Sequence, residues 1–152
     1  MLAAGAILVA AEFFYSAFAE PPTRELTAPA PVGRILERAC YDCHSDQTRW
    51  PWYSHVPLIS IWIRREVDEG RRRLNFSTWA DYASDPGTKE QKLDEIARLL
   101  KSGAMPPWYY AAIHPDARLS ESERAAIARW IVEEKFADKK SSHSRTPDGS
   151  SR

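Results

Sequence analysis

The chain has 152 residues, a single-domain length, and its 21 basic residues balance its 21 acidic ones, so no net field favours nucleic acid. A mean hydropathy of −0.50 excludes a polytopic membrane protein. The two cysteines sit three positions apart, which excludes a disulfide framework and assigns the pair to chemistry or binding.

Residues 1–19 are mostly apolar from Leu2 onward, interrupted by Glu12, and end in Ala17-Phe18-Ala19. That ending is a pattern a signal peptidase cuts. The competing reading is a short membrane anchor at the lower limit of the roughly 20 residues a span requires. No basic residues open the segment, and Glu12 is costly at mid-bilayer. Pro21-Pro22 and the Ala/Pro-rich stretch to Pro31 read as a linker over 20–31, which argues against an ordinary buried helix. Both leading readings export the rest of the chain, to the periplasm or the outer face of the cytoplasmic membrane. The expectation is an uncleaved N-terminal anchor that associates the protein with the membrane.

The domain proper is expected over 32–137. Val32, Ile35, Leu36 and Ala39 follow the helical period after Pro31, and this helix runs straight into Cys40. A polar, aromatic stretch spans 45–57. The periodicity then predicts a helix over 58–69, with Ile59, Trp62, Ile63 and Val67 on one side and Gly70 as its stop. Arg71-Arg72-Arg73 follow. Leu93, Ile96, Ala97 and Leu100 predict a helix over about 90–101, with Gly103 just past its end. Pro106 and Pro107 keep the segment 104–108 from being helical inside. Ser120-x-x-Glu123 is a capping box, and the helix it opens presents Ile127, Trp130 and Ile131 on one face. Residues 138–152 carry little to bury and read as a disordered tail. No strand alternation or internal repeat is visible, so the domain is expected to be all-α.

Cys40-Tyr41-Asp42-Cys43-His44 is C-x-x-C-H. Two thiols one helical turn apart can each add to a vinyl group on one porphyrin edge, and the adjacent imidazole then falls beneath the iron. The motif therefore points to one covalently attached haem c, with thioethers from Cys40 and Cys43 and His44 as the proximal iron ligand. A thioredoxin-like redox pair needs a strand before it, and here a helix precedes. A zinc site would need Cys40, Cys43, His44 and a fourth ligand such as His55 or His114. Adjacent Cys43 and His44 are poorly placed for one tetrahedral centre.

Apart from the initiator, Met105 is the only methionine, in a Gly-Ala-Met-Pro-Pro loop that its prolines pre-set. A methionine alone is more often core filler, but this context makes its sulfur the expected sixth ligand. His55 and His114 are its rivals. Arg71, Arg72 and Arg73 are candidates to bond the haem propionates, against the plainer reading of a solvated run at a helix end. Of six Trp residues, Trp50, Trp52, Trp79 and Trp108 are candidates for the pocket wall, against the plainer reading of core.

The order of Cys40–His44, Gly103-Ala104-Met105-Pro106-Pro107 and a Ser-x-x-Glu helix ending Ala128-Arg129-Trp130-Ile131 resembles the layout of class I cytochromes c. There the N-terminal helix carries the haem motif, a loop supplies methionine, and the C-terminal helix packs across the first. The stretches 40–45, 48–54, 74–79 and 114–119 are similar to a narrower group, the bacterial haem-binding domain proteins. That resemblance covers roughly residues 30–135 and implies haem c and an exported location. The expected function is single-electron transfer to a redox partner protein, not catalysis. The alternative is a haem-based sensor or open-site haem-binding module, a small peroxidase among them, with His55 or His114 as its acid-base residue.

Overall fold

The computed structural model describes residues 25–143. The apolar segment 1–19, the first part of the expected linker and the end of the expected tail lie outside the described residues. Within them the chain is all-helical, with no strand.

Helix α1 spans Ala30–Ala39, with Pro31 in its first turn and Val32, Ile35, Leu36 and Ala39 all buried, as the period requires. The linker is shorter than its composition suggested. Leu26 is already packed in the core, and its N–H donates to the Phe76 carbonyl at 2.8 Å. The helix does not run unbroken into the motif either. Cys40 caps α1 at φ −128°, and α2, the single turn Tyr41–His44, starts after this kink.

A turn of 3-10 helix, Trp52–His55, leads to α3, Ile59–Arg73. The expected stop at Gly70 is corrected here: α3 continues through it, and the Arg run forms its last turn. Gly70 is buried because α3 crosses against the haem motif. A Cβ at this position would stand 2.4 Å from the Cys43 carbonyl oxygen. Glycine serves close backbone approach there, not helix termination.

A 3-10 turn, Phe76–Thr78, and the short helix α4, Trp79–Ala83, precede α5, Pro86–Lys101. Helix α5 begins about one turn earlier than periodicity predicts, because Asp85 accepts the Thr88 N–H at 2.8 Å and Pro86 occupies the first turn. Gly103 takes φ +71°, the left-handed conformation that ends a helix cheaply. Helix α6, Trp108–Ile113, follows Pro107, and a 3-10 turn, Pro115–Ala117, leads to α7, Glu121–His143. The capping box forms both its bonds: the Ser120 N–H donates to the Glu123 carboxylate (2.8 Å) and the Glu123 N–H to Ser120 Oγ (3.2 Å). Helix α7 outruns Ala137, where the tail was expected to begin. Lys89 on α5 donates to Glu134 (2.8 Å) and Asp138 (3.1 Å), and these bonds fasten the added turn.

Helix α7 packs on α1 and on α5, and α2 packs on α3. Leu36, Phe76, Leu93, Ile127, Trp130 and Ile131 fill the centre. Each such side chain contributes on the order of 1.5–3 kcal/mol by leaving water. The packing of the C-terminal helix on the first matches a small cytochrome-like domain.

Candidate haem site

One side of the core is a cavity of about 450 Å³, within the roughly 300–1,000 Å³ range of cofactor sites. Its wall brings together Cys40, Cys43 and His44 of the motif, Ile63, Val67 and Gly70 of α3, Ile96 and Leu99 of α5, and the loop 105–107. Tyr109, Tyr110 and Ile113 of α6 and Ile127 of α7 complete it.

Both cysteines are free. Burial, reinforced by the neighbouring thiol, pushes Cys40 up to about 12. Burial and the Asp42 carboxylate push Cys43 up to about 11. Burial thus favours the S–H form of both groups, the form that adds across a vinyl group. Among the described residues no three His, Cys, Asp or Glu side chains gather into a metal cage.

His44 is oriented by the end of α3. Its Nδ1 lies 3.0 Å from the carbonyl oxygens of both Gly70 and Leu74. Carbonyls only accept, so Nδ1 carries the hydrogen and Nε2 keeps its lone pair for a metal. Burial also lowers the His44 pKa, which favours the neutral ring. The Gly70 close approach thus has a purpose: it brings the carbonyl end of α3 within reach of this imidazole.

Met105 fronts the same cavity. Arg124 on α7 steadies its loop, donating to the carbonyls of Leu100 (3.0 Å) and Met105 (3.3 Å). Of the rival histidines, His55 is exposed and off the cavity wall. His114 is on the wall, but its Nε2 is hydrogen-bonded to the Tyr53 hydroxyl and its ring stacks on Tyr110 at 4.2 Å.

The arginine run divides. Arg73 reaches the cavity wall, where Arg49, Lys92 and Arg98 join it. Arg71 does not line the cavity; it donates to the Ser45 carbonyl and to Thr48 Oγ1, each at 2.8 Å, fastening the loop after the motif. Arg72 pairs with Glu69 in solvent. The tryptophans divide too. Trp50 is on the wall, with the Arg64 guanidinium 5.3 Å above its ring. Trp79 is 6% exposed in the core between Phe76 and Tyr82, away from the cavity. Trp52 and Trp108, each 80% exposed, stand outside it.

Several wall residues were not singled out in the sequence. Trp62 packs on Tyr109 at 5.4 Å, and the Tyr109 hydroxyl donates to Glu66 at 2.8 Å. Asp42, a spacer in the motif, accepts from Tyr110 at 2.7 Å and from the Arg49 N–H at 3.1 Å. Its position between two cysteines was the available signal, since a buried carboxylate needs partners.

The residues present fit haem: two free thiols, an imidazole with a free nitrogen, apolar walls, and a charged fringe in which Arg49, Arg73, Lys92 and Arg98 stand beside Asp42, Glu66, Glu69 and Glu95. A small all-helical domain with this constellation on one cavity is a haem-binding protein. The chain belongs to the haem-binding domain family, whose model matches residues 6–133. It is also similar to the cytochrome c peroxidase Ccp of Escherichia coli (strain K12), at 26% identity over 105 residues. That match covers 68% of this chain and 23% of the relative, so the chain spans under a quarter of that protein's length. No solved structure matches.

Proposed function

We propose that this protein is an exported mono-haem c-type electron carrier, anchored to the membrane through residues 2–19, in which His44 and Met105 would hold the haem iron. The observation that carries this reading is that His44, with its Nε2 left free, and Met105 front the same apolar cavity as Cys40 and Cys43. The placement of the rival histidines supports it, since His55 is off the wall and His114 already has a partner. Bound haem would supply a one-electron couple. The polypeptide's part is to hold the group by two thioethers, fix the imidazole through the α3 carbonyls, steady the Met105 loop and exclude water. Methionine ligation and burial together raise the potential.

A second reading, an open-site sensor or small peroxidase, draws on the Tyr53–His114 pair, which would offer an acid-base group to a bound peroxide. Spectroscopy separates the two. The carrier reading expects low-spin ferric and ferrous spectra, the weak long-wavelength charge-transfer band of methionine ligation, and slow binding of carbon monoxide. A high-spin ferrous spectrum with immediate carbon monoxide binding would favour the open site.

A further inference from the structure

Five large apolar side chains, Leu58, Ile59, Ile61, Trp52 and Trp108, are exposed and are not part of the cavity wall. Leu58 is 79% and Ile61 68% exposed. Leu58 also adopts φ +70°, a conformation that L side chains rarely take, at the start of α3. Leu58 and Ile61, three positions apart, share one side of the start of α3 with Arg65, and Trp52 and Trp108 lie on elements beside that helix. Trp62 of α3 contacts Tyr109, whose ring meets Trp108 edge-on at 6.0 Å, and the 3-10 turn bearing Trp52 packs on α3. One turn further along α3 come Arg64 and Arg65. Both are exposed, and neither has a carboxylate partner at ion-pair distance among the described residues, Arg64 lying over Trp50 instead.

We infer that this face, the first two turns of α3 with Trp52 and Trp108 beside it, docks on an anionic lipid bilayer. The apolar end enters the interface, and Arg64 and Arg65 meet lipid phosphates. The inference rests on the proposed membrane anchor at residues 2–19.

Three observations favour lipid over a protein occupant. First, side chains this exposed project as separate knobs. A protein partner would need a matching pocket for each, whereas a fluid interface needs none. Second, Trp and aliphatic residues beside arginine are the composition that settles at the headgroup boundary. Arg64 and Arg65, with no carboxylate at ion-pair distance among the described residues, complement lipid phosphate, each worth about a fivefold shift in the docked-to-free ratio. Third, the tether is short. Leu26 is already seated in the core, and only six residues, 20–25, separate it from the end of the apolar segment. Fully extended they reach about 20 Å. A domain held so close must turn some face to the bilayer, and this one loses least by leaving water. Trp50, Trp62 and Ile113 belong to the adjoining cavity wall, so docking would turn the cavity mouth towards the membrane.

The test uses the full haem-loaded chain in vesicles of equimolar phosphatidylcholine and phosphatidylglycerol. Thioether formation would consume Cys40 and Cys43, so a single introduced cysteine takes a nitroxide label, in Ile61→Cys on the face and in Glu133→Cys on α7 as the control. Flotation reports the anchor, and collision with oxygen against a water-soluble nickel chelate reports immersion. The expected result is a chain that floats, an immersed label at position 61 and a water-exposed label at 133. Adding Arg65→Gln should lower the docked-to-free ratio about fivefold. A chain that floats with position 61 in water overturns the docking face and leaves the anchor standing. A chain that does not float overturns both. Dipolar broadening at 61 in floated vesicles, without immersion, would reassign the face to a second copy and overturn the lipid proposal.

Discussion

At Gly70 the backbone of α3 rests on the haem motif, with space for a hydrogen and nothing larger. Gly70→Ala forces a methyl group to within 2.4 Å of the Cys43 carbonyl oxygen unless α3 shifts. The expected cost is about 1–3 kcal/mol of stability. Because the same carbonyls orient His44, the yield of haem-loaded protein should fall with it. Thermal melts and the visible absorbance per polypeptide check both. Replacing the candidate sixth ligand acts differently: Met105→Ala should leave haem attached, abolish the long-wavelength band, admit carbon monoxide and lower the reduction potential, as spectroelectrochemistry would record. The motif residues and Met105 were legible because C-x-x-C-H spacing and a lone methionine between prolines are local signals. Gly70 was not. A helix-ending glycine and a close-packing glycine look alike in sequence, and the Arg run after Gly70 suits either. Trp79 was ambiguous for a related reason, since an indole suits a core and a pocket wall equally, and its ring contacts with Phe76 and Tyr82 appear only in the fold.

Among the elements, α1, α5 and α7 were legible because each buries a stripe at the helical period, whereas the stripe expected on α3 is only partly buried: Val67 is in the interior, Trp62 and Ile63 front the cavity, and Ile59 is exposed. Helices α2, α4 and α6 and the 3-10 turns are too short to show a period, and tertiary contacts hold them. Two devices fasten α7. The capping box satisfies orphan N–H groups at its start, so Ser120→Ala should cost about 1 kcal/mol, read as a lower denaturation midpoint with an unchanged slope. Near its far end, Lys89 bridges α5 to Glu134 and Asp138. Desolvation lowers the Lys89 pKa, but the bonds to Glu134 and Asp138 outweigh it and the net shift is upward. A base whose folded pKa is raised stabilises the fold fully below its unfolded pKa, and that stabilisation fades as pH rises through the folded value. The melting difference between wild type and Lys89→Met should therefore be constant across neutral pH and shrink above the ordinary lysine range. A difference that instead vanished near neutrality would contradict the bridge.

At the scale of the whole molecule the cavity is the dominant feature. An apolar space of about 450 Å³ leaves its lining side chains without packing partners on one side, in a domain whose whole stability is on the order of 5–15 kcal/mol. A haem held there would complete that packing. Chain produced without haem attachment should keep helical far-ultraviolet dichroism, lose much of its near-ultraviolet signal and melt with little cooperativity.

The most direct test is to express the chain with a cytochrome c maturation system and extract the purified protein with acidified acetone. Haem that stays with the polypeptide, gives the pyridine haemochrome of two thioether links, and is lost in the Cys40→Ala/Cys43→Ala variant is the predicted result. Haem that extracts into the solvent, or survives undiminished in that variant, would contradict covalent attachment through Cys40 and Cys43.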